Sequence, residues 1–358
     1  MLVARTWPGL AAAAVAAVLT ALGSGAAAEV AAGDTSQKRI ALSNSFIGNA
    51  WRRAMVDSWT EAAEAAVAQG RVAAAPAFTT TENQAVEQAA QIRDLTREGF
   101  DAIVINAASP TGLNDAVREA CDAGVVVVSF DSIVTEPCAW RLVIDFAGLG
   151  EAQLDYLGDR LGDGGNVLEV RGLAGVFVDD EIHAGVARGF ERHPGLTRVG
   201  EVHADWTQTV AQREVAAALR ELPPVDAVVT QGGDGLGTAL AFRSGGREQP
   251  VIVMSNRHDE LQWWRQQRDA SGYETISLSI PPAASQVAFW VAQQILAGRD
   301  VPKDLLLPTL VIRQNTLDFW LEHTPPGGVA NATYPLEWVS DLIDTTIAGA
   351  PPPPTPAS

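Results

Sequence analysis

The stretch "QAAQIRDLTREGFDAIVINAASPTGLNDAVREACDAGVVVVSFDS", residues 88–132, decides the fold class of this 358-residue chain. Its runs "DAIVINA" and "VVVVSF" are short, apolar and strand-like, and the segments before and between them have the pattern of helices. Gly99 and Gly124 fall directly after those helical segments, where a glycine commonly ends a helix. Strands that alternate with helices of this length predict parallel sheets covered by helices on both faces.

The same alternation continues along the chain from residue 38 and gives about nine strand-like runs. That is too many for one small open sheet with these connections. One β-α-β-α series runs from 38 to about 145 and a second from about 146 to 279, with the Gly-rich stretch "DFAGLGEAQ" (145–153) between them. We therefore predict an α/β protein of two similar lobes.

The two ends of the chain differ in composition from the rest. Residues 1–28 combine one basic residue, an apolar run (10–22) and a small-residue cleavage site (26–28), which is the pattern of a cleaved secretory signal peptide. A membrane anchor is the alternative, but the apolar run is short for a span. The proline-rich end "GAPPPPTPAS" (349–358) has no apolar periodicity, which predicts a disordered tail.

Charge and cysteine usage exclude several classes of partner. Without residues 1–28 the chain has 24 basic and 43 acidic side chains, a net charge of −19 (24 − 43), which disfavours nucleic acid and anionic lipid. The histidines show no HxxH or HExxH spacing and the cysteines no CxxC, so we expect no metal and no cofactor. Cys121 and Cys138, an even pair in an exported chain, form either a disulfide or two separate thiols.

Ligands of parallel α/β sheets bind beyond the carboxyl ends of the strands, so the residues that follow each strand are the candidates for a site. They are rich in Asn, Asp and Ser with aromatic rings among them. This mixture suits a sugar, because its hydroxyls need polar partners and its C–H faces stack on aromatic rings. The predicted ligand-binding residues are Ser45, Phe46, Asn49, Trp51, Asp131, Asp180, Trp206, Asp234, Asn256 and Ser279.

Three of these residues have a structural alternative. Trp51 lies on the apolar stripe of the helix predicted after "IALSN", so it is either a stacking ring or part of the core. Asn49 is either a ligand contact or the N-cap of that helix. Asp180, with Asp179 and Glu181, is either a ligand contact or a residue favoured by the helix dipole in a first helical turn.

An ordered set of landmarks resembles the type I periplasmic sugar-binding proteins, the ribose-binding-protein-like receptors of ABC importers. The likeness covers roughly residues 38–315. The landmarks are "IALSNSFIGNAWRRAMVDSWTEAA" (40–63), the stretch 88–132, "GLAGVFVDDEIHAGVARGF" (172–190) and "DAVVTQGGDGLGTALAF" (226–242).

The resemblance implies two Rossmann-like lobes with parallel sheets, joined by a three-strand hinge, with the ligand in the cleft between them. It implies a first lobe of residues 38–145 plus about 280–312, and a second of 146–279 plus about 313–348. It also implies a periplasmic monomer that captures a monosaccharide or polyol and delivers it to the membrane permease of an ABC importer.

Two arginines usual in the family are missing from their positions. Ser132 stands where an Arg commonly follows the Asp of the fourth strand, and "DDEIHAG" (179–185) stands where a second Arg is usual. These departures indicate a ligand other than ribose: a different sugar, a polyol or a cationic polar molecule.

Two further function classes compete with a transport receptor. Asp131 with Asp179 or Asp234 would be a carboxylate pair of the kind that glycosidases use, although the chain contains no GxSxG element. A sensor domain that feeds a chemoreceptor or a kinase is the alternative within the same fold. Because the lobes and the export signal are accounted for by binding alone, we interpret the chain as a binding protein without catalytic residues.

Overall fold

The computed structural model describes residues 33–162 and 164–356, so the predicted signal peptide at 1–28 lies outside the described residues. The first lobe is an α/β unit. Up to the first crossing its elements are β1 (Ile40–Asn44), α1 (Ala50–Ala68), β2 (Ala77–Thr79), α2 (Ala85–Arg97), β3 (Ala102–Asn106), α3 (Asn114–Asp122), β4 (Val126–Phe130) and β5 (Trp140–Ile144). With β11 (Asp304–Leu307) these strands form a sheet that is parallel throughout and ordered β11-β5-β4-β3-β1-β2.

The central strands of this sheet are buried along their whole length. Every residue of β1 and β3 is buried, because helices cover both faces of the sheet. Continuous apolar runs are therefore favoured here over an alternation of polar and apolar residues. The prediction of a parallel sheet from "DAIVINA" and "VVVVSF" is confirmed.

The second lobe repeats the same plan with a smaller parallel sheet, ordered β7-β6-β8-β9. A bridge between Met254 and Ser277 continues this sheet into the antiparallel pair β10–β12. Its elements are α4 (Phe146–Leu161), β6 (Gly165–Arg171), α5 (Phe177–Arg192), β7 (Leu196–His203), α6 (Gln208–Ala218), β8 (Ala227–Val229), α7 (Gly235–Ser244), β9 (Val251–Ile252), α8 (His258–Ser271) and β10 (Ser277–Ser279).

The rest of the chain passes repeatedly between the lobes. Its elements are α9 (Ala284–Leu296), β11 (Asp304–Leu307), β12 (Leu310–Ile312), α10 (Leu317–Glu322) and α11 (Leu336–Ile347). Helix α9 packs on α1 and on β3 and β4, and β11 pairs with β5, so both belong to the first lobe. The three expected crossings lie at 145, 280–283 and 308–309.

Two lobe boundaries differ from the expectation. Strand β12 pairs with β10, so residues 310–312 lie with the second lobe and not with the first. Helix α11 packs on α9 and β11, so residues 336–347 lie on the first lobe, although we expected 313–348 on the second. The chain therefore crosses between the lobes a fourth time after α10. Sequence periodicity could not predict this, because the apolar stripe of α11 fits either lobe.

The C-terminal segment is also more ordered than predicted. Residues 351–356 have no regular secondary structure, but the indole Nε1 of Trp338 donates to the carbonyl oxygen of Pro354 at 2.9 Å. This part of the tail thus packs against α11. Within residues 33–162 and 164–356, no helix is both long and apolar enough to cross a bilayer.

Cys121 and Cys138 are joined by a disulfide bond, as one of the two alternatives predicted. The bond connects the end of α3 to the loop between β4 and β5, and both half-cystines pack against a buried apolar cluster that includes Val134 and Ala139. It closes the segment that contains β4 and the residue that follows it, Asp131.

We predict that the Cys121→Ala/Cys138→Ala variant loses about 3 kcal/mol of unfolding free energy, the chain-entropy value for a loop near this length. Urea unfolding followed by circular dichroism measures the loss. Wild-type protein unfolded with and without dithiothreitol is the matched control, because it breaks the bond without removing side chains. Equal stability of the oxidised and reduced wild type would contradict the prediction.

Candidate functional site

A cavity of about 410 Å³ lies between the two lobes, at the carboxyl ends of their parallel strands. The first lobe contributes the segments after β1, β3 and β4, and the second lobe those after β6, β7, β8 and β9. Leu278 and Ser279 at the end of β10, Ile280 in the second crossing and Val329 close one side. This is the place that the topology of parallel sheets favours for a ligand.

Seven of the ten predicted site residues line this cavity and three do not. Those that line it are Phe46, Asn49, Trp51, Asp131, Trp206, Asn256 and Ser279. Of the remaining three, Ser45 is fully buried behind the cleft, and Asp180 is exposed and pairs with Arg171. Asp234 is also fully buried, and its carboxylate accepts from the backbone N–H groups of Gln231 and Gly232. None of these three offers a group to the cavity.

Trp51 and Asn49 line the cavity and also make contacts within the protein. The ring of Trp51 lines the cavity, while its Nε1 donates to the carbonyl oxygen of Ile280 in the second crossing at 2.9 Å. Asn49 is the N-cap of α1, with its Oδ1 accepting from the Arg52 N–H at 2.9 Å. Each residue therefore contributes to the wall of the cleft and to the frame that holds it.

Trp206 faces the cavity from the second lobe in an unusual backbone conformation. It and Asp205 have φ of 51° and 52°, the left-handed region that larger side chains rarely adopt. A Cβ at Gly172 would lie 2.2 Å from Cε2 of Trp206, so only a glycine lets the indole lie against this backbone. The indole therefore lies directly against the Gly172 backbone at the edge of the cavity.

Asp131 lies at the end of β4 and is also in the left-handed region, with φ of 57°. Its Oδ2 accepts from Nδ2 of Asn106 at 3.1 Å. Burial raises the pKa of Asp131 above its usual range, and the positive charge of Arg52 opposes that shift. Oδ1 of Asn106 is buried and has no partner among the described residues.

The sequence reasoning missed Arg52, which lines the cavity in the first turn of α1. Its Nη1 donates to Oδ1 of Asn44 at 2.9 Å and to Oγ of Ser45 at 3.0 Å. The guanidinium carbon lies 4.5 Å from the ring centroid of Phe46. Ser45, predicted as a ligand contact, thus acts by holding Arg52. A cation beside aromatic residues at a strand-to-helix junction was the signal available in the sequence.

Arg257 occupies the second lobe's side of the cavity. Its Nη2 donates to the carbonyl oxygen of Trp206 at 3.0 Å, and no carboxylate of the described residues lies within ion-pair distance. A Cβ at Gly233 would lie 2.1 Å from its Cζ, so the glycine makes room for the guanidinium group. The cleft therefore has one arginine from each lobe, at positions other than the two that the family resemblance implied.

The carboxylates proposed for a glycosidase-like pair do not meet in the cleft. Asp179 is fully buried and pairs with Arg171 at 2.6 Å, and its Oδ1 also accepts from the Gly172 N–H at 2.9 Å. With Asp234 enclosed by its own loop, Asp131 is the one carboxylate among the residues that line the 410 Å³ cavity.

Glu169, His183 and Glu201 present ligand atoms that all lie within 4.8 Å of one another, below the cleft. Arg198 donates to Glu169 at 2.8 Å and Arg171 to Glu201 at 3.0 Å. These arginines already compensate the two carboxylates, so the cluster is an ion-pair network.

Two buried carboxyl groups lie beneath the loops that hold Arg257. Oε2 of Glu260 accepts from the N–H of Ser255 at 2.7 Å. Burial raises the pKa of Glu260 from 4.5 to about 7, and repulsion from Asp234 adds to this. Burial also raises the pKa of Asp234 to about 6. The positive charge of Arg257 acts to lower the pKa of both carboxyl groups.

Two lobes that enclose one cavity at the ends of their parallel sheets, joined by crossing strands, define a solute-binding protein of the type I periplasmic-binding fold. Residues 40–300 match the family model described as a periplasmic binding protein domain. The chain belongs to this family, and the predicted family and fold are confirmed.

Relatives within the family are binding proteins. The chain is 24% identical over 250 residues to the xylitol-binding protein of Mycolicibacterium smegmatis, covering 69% of this chain and 70% of that one. It is 26% identical over 229 residues to the ribose import binding protein of Bacillus subtilis, covering 63% and 73%. An ABC transporter solute binding protein from Thermobispora bispora superposes with a TM-score of 0.82 at 32% identity, covering 90% and 99%. The chain is accordingly a binding protein and not an enzyme.

We predict that Glu260 makes stability depend on pH. The folded protein holds the Glu260 proton more tightly than the unfolded chain does. The stabilisation of the folded state by this proton is therefore fully present below about pH 4.5 and is lost as the pH rises through about 7. Glu260→Gln keeps an oxygen for the Ser255 N–H and cannot ionise, so the variant should gain stability relative to wild type from pH 5 to pH 8.

Urea unfolding of both proteins across that range tests the prediction. Glu61→Gln, a change at an exposed carboxylate of α1, is the control and should follow the wild type. Parallel profiles of unfolding free energy against pH for wild type and Glu260→Gln would contradict a raised pKa of Glu260.

Proposed function

We propose that this protein captures a sugar or polyol in the interlobe cleft and delivers it to the permease of an ABC importer. The observation that carries the proposal is the convergence of Trp51 and Trp206, one from each lobe, on a single cavity with polar groups between them. Its volume of about 410 Å³ lies in the usual range for small-molecule sites. Indole faces suit the C–H faces of a sugar ring.

An unsatisfied polar atom in the lining supports a ligand rich in hydroxyl groups. Oγ of Ser279 lines the cavity and is buried without a partner among the described residues. Leaving such a group unpaired costs about 1–3 kcal/mol, so a ligand that satisfies it gains affinity. Hydroxyl groups both donate and accept, and can therefore serve Asp131 as well as the two arginines.

The charge of the lining disfavours the cationic ligand that the sequence left open. Arg52 and Arg257 outnumber Asp131, so the ionisable side chains that line the cavity have a net charge of +1. A cation would be repelled by this excess of positive charge. Neutral polyhydroxylated ligands agree with what the xylitol- and ribose-binding relatives are named for.

Two exposed apolar side chains on one wall support closure around the ligand. Leu173 and Phe177 are 43% and 36% exposed and both line the cavity from the second lobe. Covering such apolar surface with the opposite lobe or with a ligand removes it from water, which favours the closed arrangement. We propose a monomeric receptor, exported by means of residues 1–28, that closes on its ligand and opens at the permease.

We predict that Trp206→Ala weakens binding by about 1–3 kcal/mol, the scale of burying a large side chain. Thermal-shift screening against pentoses, hexoses, pentitols and inositols identifies the ligand, and calorimetric titration measures the affinity. Trp140→Phe is the control, because Trp140 is outside the cavity lining and donates to the carbonyl oxygen of Val301.

Two outcomes would overturn the proposed function. Equal affinities of wild type and Trp206→Ala would place the site elsewhere. A chemically altered ligand after long incubation, detected by chromatography, would contradict a receptor that releases its ligand unchanged.

A further inference from the structure

The C-terminal part of the chain crosses between the lobes in a segment that the family match does not include. Residues 325–334, "PPGGVANATY", connect α10 on the second lobe to α11 on the first, and we call them the strap. The match to the periplasmic binding protein domain ends at residue 300. Val329, near the middle of the strap, lines the ligand cavity.

The first half of the strap is bound to the second lobe. A turn begins it, with Gly328 N–H donating to the carbonyl oxygen of Pro325 at 2.8 Å and a φ of 75° at Gly327. This is the sequence and geometry of a type II turn, with proline and then glycine at its centre. Val329 then forms an antiparallel bridge with Arg257.

Three hydrogen bonds enclose that bridge. The N–H of Ala330 donates to the carbonyl oxygen of Asn256 at 2.7 Å, and Nδ2 of Asn256 donates to the carbonyl oxygen of Ala330 at 2.8 Å. On the other side, the N–H of His258 donates to the carbonyl oxygen of Gly328 at 3.1 Å. The strap thus holds the backbone on both sides of Arg257, the cation that the second lobe presents to the cleft.

The second half of the strap is bound to the first lobe. Oδ1 of Asn331 accepts from the N–H of Ala283 at 2.8 Å, and its Nδ2 donates to Oγ of Ser58 in α1 at 2.7 Å. Further on, Tyr334 is 1% exposed, and its N–H donates to Oε1 of Gln286 in α9 at 2.9 Å.

The anchors on the two lobes belong to consecutive residues. Ala330 is bound to the second lobe and Asn331 to the first, and successive Cα atoms are held about 3.8 Å apart by a trans peptide. No residue between these two anchors is therefore available to absorb a relative movement of the lobes. Since Ala283 belongs to the second crossing, the strap runs beside an existing hinge strand and adds a further one to the three.

We propose that the strap is a fourth hinge strand, which restricts the relative motion of the lobes and holds Arg257 in a fixed position opposite α1. Asn331 is its positioning residue. A narrower range of open arrangements lowers the ordering cost when a ligand draws the lobes together. Although this refines the proposed binding function, the motion itself is measured without a ligand.

Pulsed electron–electron resonance on the ligand-free, full-length protein tests the proposal. Spin labels at Glu64→Cys in α1 and Arg220→Cys after α6 report the distance between the lobes, and both sites are exposed. The native cysteines are in a disulfide and do not react with the label. We expect Asn331→Ala to broaden the distance distribution and shift it to longer distances.

Three further variants make the result specific. Asn331→Asp keeps an acceptor for the Ala283 N–H and should restore part of the wild-type distribution. Ser58→Ala removes the acceptor for Nδ2 of Asn331, together with a bond from Ser58 Oγ to the carbonyl oxygen of Ala54 within α1, and serves if Asn331→Ala does not fold. Asn166→Ala is the matched control, because Asn166 donates to the carbonyl oxygen of Pro224 within one lobe at 2.8 Å.

The distance distributions of the strap variants and of the control decide the proposal together. A broadened distribution in Asn331→Ala or Ser58→Ala, together with a wild-type distribution in Asn166→Ala, supports the fourth hinge strand. Wild-type distributions in the strap variants would overturn it, as would equal broadening in Asn166→Ala. Neither result bears on whether a sugar binds, so a failure here is distinct from a failure of the proposed function.

Discussion

The burial of α9 along all but its last two residues is the constraint on which the first lobe and the hinge depend. Every residue from Ala284 to Gln294 is buried, so the polar side chains on this helix need partners inside the protein. Oγ of Ser285 donates to the carbonyl oxygen of Met55 in α1 at 2.8 Å. Nε2 of Gln286 donates to the carbonyl oxygen of Ser58, and Nε2 of Gln293 donates to Oγ1 of Thr35. The hydrogen bonds that the buried polar side chains of α9 require therefore hold α1 and the segment around Thr35 against this helix.

This arrangement connects the hinge to the site. Helix α1 begins at the cleft with Trp51 and Arg52, and α9 begins at the end of the second crossing. The indole of Trp51 donates to Ile280 in that crossing. The start of α1, with its side chains at the cavity, is thus held by the same buried contacts that hold the crossing.

Electrostatics give the two walls of the cleft different characters. On the first lobe, burial lowers the pKa of Arg52 and raises that of Asp131, while the charge of each opposes the shift of the other. Both have hydrogen-bond partners on the same wall. On the second lobe, the guanidinium group of Arg257 donates to the backbone carbonyl oxygens of Gly233 and Trp206, and the charges that act against its own are the buried carboxyl groups of Asp234 and Glu260. Because burial favours the neutral forms of those acids, the positive charge of Arg257 is less compensated at low pH than at high pH.

The sequence by itself determined the α/β class, the two lobes and the cysteine pair available for a disulfide. It also identified most of the polar and aromatic residues at the strand ends. These features could be predicted because helix and strand periods and strand-end positions are local properties. Only the tertiary structure decided that Ser45 holds Arg52, that Asp234 is enclosed by its own loop, and that α11 returns to the first lobe. The physical reason is that these outcomes depend on contacts between segments far apart in the chain. No local period specifies which buried group a polar side chain satisfies or which apolar surface a final helix covers.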